Sequence, residues 1–177
     1  MDALRFVVTG TALLVVCGCG DSRDPLAPTA PSSAVQPQSA ARRVHTSGLF
    51  DAKVDFATVT LTPKGRNCLL QVDGTLIFTG TIQGTAPAHT SALEAASCAQ
   101  VAANPPGTFP DVFKSEAVFD GTINGTPAHA NLLYFGHVEV GGHITGGFIF
   151  SDGVSGILAV DAQVAVGGRY RGAVVVR

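Results

Sequence analysis

Apolar residues recur at every second position through most of this chain. In the clearest run, Cys68, Leu70, Val72, Leu76, Phe78 and Ile82 share the even positions with Gly74 and Gly80, while Gln71, Asp73, Thr75, Thr79 and Thr81 take the odd ones. A period of two marks a strand with one buried face. The phase passes unbroken through Asp73-Gly74, a dipeptide that otherwise signals a type I′ hairpin turn. The pattern therefore predicts one long strand over about 67–83, kinked at Gly74. The same alternation appears in Phe113, Ala117, Phe119 and Ile123, and in Ala128, Ala130, Leu132, Tyr134 and Val138. It returns in Leu158, Val160, Ala162, Val164 and Val166, and in Tyr170, Val174 and Val176. Turn signals punctuate the runs: Pro63-Lys64-Gly65-Arg66, Gln83-Gly84, Asn104-Pro105-Pro106-Gly107, Asn124-Gly125, Gly141-Gly142, Asp152-Gly153 and Gly167-Gly168. Seven connections imply about eight antiparallel strands. An all-β, up-and-down barrel of eight strands is the predicted fold, because closure removes the exposed edges of a sheet. A β-sandwich of the same strands is the alternative.

The segment 86–103 carries two competing signals. Ser91-Ala92-Leu93-Glu94 fits a capping box, and the Ala-rich stretch behind it would make a helix stopped by Pro105. Against this, Cys68 and Cys98 each lie fifteen residues from Gln83 and share even parity. A hairpin centred on Gln83 would set them opposite one another on one face, at a separation a disulfide can bridge. That geometry favours strand, with helical content open over 97–103, and it predicts a Cys68–Cys98 disulfide.

Before residue 48 the pattern is different. Arg5 supplies a positive n-region, and Phe6–Val16 is an apolar run, too short to span a bilayer core but suited to a signal-peptide h-region. Val16-Cys17-Gly18-Cys19 follows it and resembles the lipobox of bacterial lipoproteins. The resemblance implies that residues 1–18 are a lipoprotein signal peptide and that Cys19 is the lipidated cysteine, the palmitate-bearing first residue of the mature chain. Cys17 fits less well, having the bulky Val16 before it. Cleavage would leave Cys68 and Cys98 as an even pair in an oxidising compartment. Residues 19–47 hold Pro25, Pro28, Pro31 and Pro37, several serines and no aromatic residue. Such a stretch buries too little apolar surface to offset its chain entropy and reads as a disordered tether. The expected location is the bacterial cell envelope, after secretion across the inner membrane, with the lipid anchor as the contact to the membrane and the β-barrel domain spanning 48–177.

Composition narrows the function. Charged residues make up 14% of the chain and the net charge is −2, without a basic face, so a nucleic-acid partner is not expected. No motif calls for a cofactor, and no nucleophile sits in a catalytic context. Gly20-Asp21-Ser22-Arg23 lies in the tether, and Gly153-Val154-Ser155-Gly156-Ile157 fails the last position of the nucleophile elbow. His137, Glu139 and His143 flank the Gly141-Gly142 turn and are the weak candidates for a metal site, since zinc takes such ligands. Their parity opposes Leu132, Tyr134 and Val138, however, which places His137 and Glu139 on a solvated face. No pair of acidic residues stands out for acid–base chemistry, and the acids mostly read as turn and polar-face residues.

The order of a long opening hairpin, Phe119-Asp-Gly-Thr-Ile-Asn-Gly-Thr-Pro, His143-Ile-Thr-Gly-Gly-Phe-Ile-Phe, Gly153-Val-Ser-Gly-Ile-Leu and Gly168-Arg-Tyr-Arg-Gly resembles small secreted bacterial domains related to the allene oxide cyclase-like β-barrel. The resemblance implies a barrel whose interior holds an apolar ligand. It alone would suggest an isomerase or cyclase, and it carries no catalytic residue over. Two classes of function follow: a lipid-anchored module binding a small apolar ligand, or an envelope interaction protein with a filled barrel. Gly74, Gly80, Gly136 and Gly146 on the inward face would leave room, while Phe78, Phe119, Phe148 and Phe150 would fill it.

Overall fold

The computed structural model describes residues 41–177. The signal segment, Cys19 and most of the proposed tether lie outside the described residues. Eight strands follow in order: β1 (Arg42–Lys64), β2 (Asn67–Gly80), β3 (Ile82–Glu94), β4 (Asp111–Ile123), β5 (Thr126–Val138), β6 (His143–Ser151), β7 (Val154–Gln163) and β8 (Gly167–Val176). One short helix, α1 (Cys98–Ala103), interrupts them between β3 and β4. Each strand pairs with its sequence neighbours, and β1 closes onto β8 in an antiparallel up-and-down barrel.

Alternation decides which way each strand faces. Val44, Phe50, Phe78, Ile82, Phe119, Leu132, Phe148, Leu158 and Val174 are buried inside, while outward positions include Asp51, Lys53, Asp73, Glu116, Asp161 and Arg169. A transmembrane barrel has the reverse order, apolar outside and polar within. The end of the barrel formed by the β2–β3, β4–β5 and β6–β7 turns is packed solid. Phe50, Phe78, Phe119, Phe148 and Phe150 meet there mostly edge to face, for example Phe50 and Phe148 at 5.0 Å and 77°. Such pairs add to the stabilisation that burial of their area already gives. Tyr170 locks this end, its hydroxyl accepting from the Ile82 amide at 3.0 Å and donating to the Thr79 carbonyl at 3.0 Å.

Several expectations shift in detail. β1 begins at Arg42, so residues 42–47 belong to the sheet rather than to a tether ending at 47, and Val44 and Thr46 are buried. The first inner hairpin turns at Thr81, not at Gln83, since Cys68 faces Glu94 and Phe78 faces Gly84 in the β2–β3 ladder. Gly84 is a strand residue opposite Gly121, and a Cβ at Gly121 would lie 2.9 Å from the Phe119 ring, so glycine serves close packing there rather than a turn. The last hairpin turns at 164–166, and Gly167 and Gly168 belong to β8.

The Cys68–Cys98 disulfide is present, with Cα atoms 4.8 Å apart, but for another reason than strand pairing. β3 ends at Glu94, and Cys98 lies in the first turn of α1. The helix is capped by Ser97 and Gln100, whose side chains reciprocally meet the orphan amides of the first turn. Ser91 and Glu94 are not the cap.

Candidate functional site

The end opposite the aromatic plug is hollow. Beneath the 95–110 connection lies a cavity of about 360 Å³, at the small end of the range for ligand sites. Small side chains make the space: Ala52, Gly74, Ala88 and Ala92 line it where larger residues fill the other end, and Phe50, Leu76, Phe113 and Tyr134 form its floor. The choice between a filled and a hollow barrel therefore divides along the barrel axis.

Strand lengths shape the opening. The β1–β8 ladder stops at Asp51↔Gly167, after which only the Ala52 amide reaches the Val166 carbonyl. β1 continues to Lys64 paired with β2 alone, so one side of the wall stands higher than the β7–β8 side. Within this free stretch, the residues between Asp55 and Thr60 bulge out against Val72 alone. Thr58 fastens the bulge, its hydroxyl donating to the Asp55 carbonyl at 2.8 Å and accepting from the Asp73 amide at 2.8 Å. The bulge presents Phe56, 59% exposed, beside the opening. Bulges commonly re-aim side chains at barrel rims.

The 95–110 connection roofs the cavity with Val101, Ala102, Asn104, Pro106 and Gly107. It is fixed at two points. The disulfide ties α1 to β2, and the Gly107 carbonyl accepts from the Gly141 amide of the β5–β6 turn at 2.9 Å. Gly107 has φ +82°, and a Cβ there would stand 2.6 Å from the Gly142 Cα, so only glycine allows both the conformation and the approach.

The inward-facing polar side chains of the wall on β3, β4 and β5 are Glu94, Thr90, Asp111, Ser115 and Tyr134. Glu94 and Asp111 are directly opposed in the β3–β4 ladder, and both face inward, 8% and 9% exposed. Two rungs deeper lie Thr90, Ser115 and Tyr134, paired in turn across the three strands, with the Thr90 and Ser115 hydroxyls 2.6 Å apart. The Tyr134 hydroxyl and Asp111 Oδ1 are buried and have no hydrogen-bond partner in the protein. Burial pushes the Asp111 carboxyl up from 3.8 to about 7, helped by the neighbouring Glu94 charge. Burial likewise raises Glu94. The Tyr134 phenol is raised by burial first and by Asp111 second. Like charges side by side in an apolar wall disfavour double ionisation, so the pair holds a proton to higher pH than free carboxyl groups do.

Glu94 and Asp111 are the exceptions to the expectation that the acids mostly occupy turns and polar faces. The signal was parity. Asp111 is in phase with Phe113, Ala117 and Phe119, and Glu94 is in phase with Ile82, Ala86 and Ala92. The metal candidates take a different place. His137, Glu139 and His143 do gather, with Glu139 3.8 Å from each imidazole, but they lie half-exposed on the outer surface. His143 turns its Nε2 to Asp161 at 3.0 Å, which also holds Arg169, and the His143 hydrogen bond lowers the Asp161 pKa. Among the described residues no group of three or more His, Cys, Asp or Glu is arranged to hold a metal ion. His89 pairs with Asp73 at 2.7 Å, also outside the barrel.

The sequence matches no protein-family model and none of the curated proteins with which it was compared.

Proposed function

We propose that this chain is a lipid-anchored envelope protein whose barrel binds a small, largely apolar molecule at its hollow end. One observation carries the binding reading: an apolar cavity of about 360 Å³ whose wall holds buried polar atoms without a partner, the Tyr134 hydroxyl and Asp111 Oδ1. Buried polar groups are nearly always paired in native proteins, and an unpaired one lowers stability by about 1–3 kcal/mol. A pocket that is mostly apolar with a few convergent polar groups is the usual form of a small-molecule site. The alternative, an interaction protein with a filled barrel, suits only the aromatic half of the interior.

The anchor rests on sequence: the apolar run Phe6–Val16 ends at Val16-Cys17-Gly18-Cys19. The disulfide agrees with an oxidising compartment. Metabolic labelling with a fatty-acid analogue should mark the wild type and not Cys19→Ser, and label that survives in Cys19→Ser but disappears in Cys17→Ser would move the site. Native mass spectrometry of Cys19→Ser protein from the envelope fraction tests the binding reading. The expected spectrum carries an added small-molecule mass that is released on unfolding. A bare protein mass, unchanged after incubation with small apolar alcohols, would refute it.

A further inference from the structure

Resting on the reading that the hollow end is a binding site, we infer that its ligand is an amphipathic amine, with an ammonium group seated against Glu94, Asp111 and Tyr134. Three observations support this class. Glu94 and Asp111 oppose each other across the β3–β4 ladder, as residues 8% and 9% exposed. The Tyr134 hydroxyl, on a side chain 5% exposed, lies in the same wall with its hydrogen bonds unmade, as does Asp111 Oδ1. The rest of the lining is overwhelmingly apolar, as an alkyl or aryl body requires.

Charge sorts the candidates. The basic residue that borders the cavity is Lys53 of β1, which points outward and is exposed, and Asp73 of β2 does the same. Among the described residues, neither Glu94 nor Asp111 takes part in an ion pair. The helix α1 adds no charge. A carboxylate or phosphate headgroup would thus find no cation to neutralise it, and it would be repelled wherever either acid is ionised. An ammonium brings up to three donors to a cluster rich in acceptors and supplies the missing positive charge. Its arrival favours the ionised carboxyl groups, so binding releases protons from the pair near neutral pH. The pairing also explains why acids stand in an apolar wall without a basic partner of their own.

Titration calorimetry of the full chain with decylamine, decan-1-ol and decanoate tests the assignment. Decylamine should bind at least about tenfold more tightly than decan-1-ol, the scale of about 1.4 kcal/mol for a partly screened charge pair, with decanoate weakest. Decylamine affinity should rise between pH 6 and 8, with proton release visible as a dependence of the heat on the buffer, while decan-1-ol affinity stays flat. Glu94→Gln combined with Asp111→Asn should erase the preference for the amine and leave decan-1-ol binding in place, which also shows that the variant is folded. Equal binding of amine and alcohol by the wild type would overturn the amine inference and leave the binding reading standing. An amine preference that survives in the double variant would overturn the assignment to these residues. Failure of all three probes to bind would overturn the binding reading and the inference with it.

Discussion

Replacing Asp111 by asparagine should make this protein more stable in alkaline solution and leave it little changed in acid. The buried Asp111 carboxyl has its pKa pushed up from 3.8 to about 7 by desolvation and by Glu94. Between those two values the folded protein holds a proton that the unfolded chain has released. Unfolding therefore becomes easier as pH rises, by about 1.4 kcal/mol per pH unit, until the folded group also ionises near pH 7. The stabilising contribution is complete below pH 3.8 and gone above about pH 7, which is the reverse of an ordinary salt-bridged carboxylate. The displacement amounts to about 4 kcal/mol, a ceiling because water at the opening screens the charge. An asparagine side chain is similar in shape to the protonated Asp111 carboxyl and does not titrate. Urea unfolding at pH 4, 5.5, 7 and 8.5 should show wild type and Asp111→Asn within about 1 kcal/mol at pH 4, and the variant ahead by about 2–4 kcal/mol at pH 8.5. Taking the difference at each pH cancels the opposite slopes of Glu116 and Asp161, whose pKa values are lowered by Lys114 and His143. A difference that stays constant from pH 4 to 8.5 would refute the account of a desolvated, proton-retaining pair.

Opening the Cys68–Cys98 bond, which spans 30 residues, should lower stability by about 3–4 kcal/mol on the chain-entropy model, and Cys68→Ala with Cys98→Ala should melt like the reduced protein in a thermal scan. Amide exchange should show the core amides that exchange by global unfolding losing protection by a similar amount, with the 95–110 roof opening more easily still. Tyr170→Phe should cost about 1–3 kcal/mol in urea unfolding, because it strands the buried Ile82 amide and removes the donor to Thr79. A loss under about 0.5 kcal/mol would mean that the closed end does not depend on this lock. Gly107→Ala should release the roof from the β5–β6 turn, seen as faster exchange of the Gly141 amide, since both φ +82° and the 2.6 Å approach exclude a Cβ.

The barrel was legible because alternation is local. Phe113 to Ile123, Ala128 to Val138 and Leu158 to Ala162 each announce their own inward face, and the number of connections follows from the turn signals. Turn position was less legible, because glycine has two uses. Gln83-Gly84 looks like a hairpin turn from its neighbours in sequence, yet Gly84 is there for Gly121 and the Phe119 ring, which lie elsewhere in the chain. Glu94 failed for the same kind of reason. Ser91-Ala92-Leu93-Glu94 satisfies a cap in isolation and masks the parity that turns Glu94 inward, and the β3–β4 register then identifies Asp111 as the residue it faces. The disulfide was found by parity arithmetic around the wrong centre, and the bond forms because the chain doubles back through α1 after β3 ends. The cavity itself has no local signature. It arises where small residues from several strands meet at one level and where β1 outruns β8, and both depend on register.

The seam between β1 and β8 has a kinetic consequence. Every other ladder joins strands that are neighbours along the chain and can form as a hairpin, whereas β1 and β8 come from opposite ends of the domain. Loop closure over such a distance makes this pairing the slow, high-contact-order step of folding. Phe50 and Tyr170 sit on the two sides of that seam, so the aromatic plug cannot consolidate until it closes. Before closure the chain is an open sheet with two long unpaired edges, each able to recruit the complementary edge of another copy. The competition between zipping shut and exchanging strands with a neighbour is therefore set by concentration during folding, and crowded refolding should yield swapped dimers in which β8 of one copy completes the barrel of another.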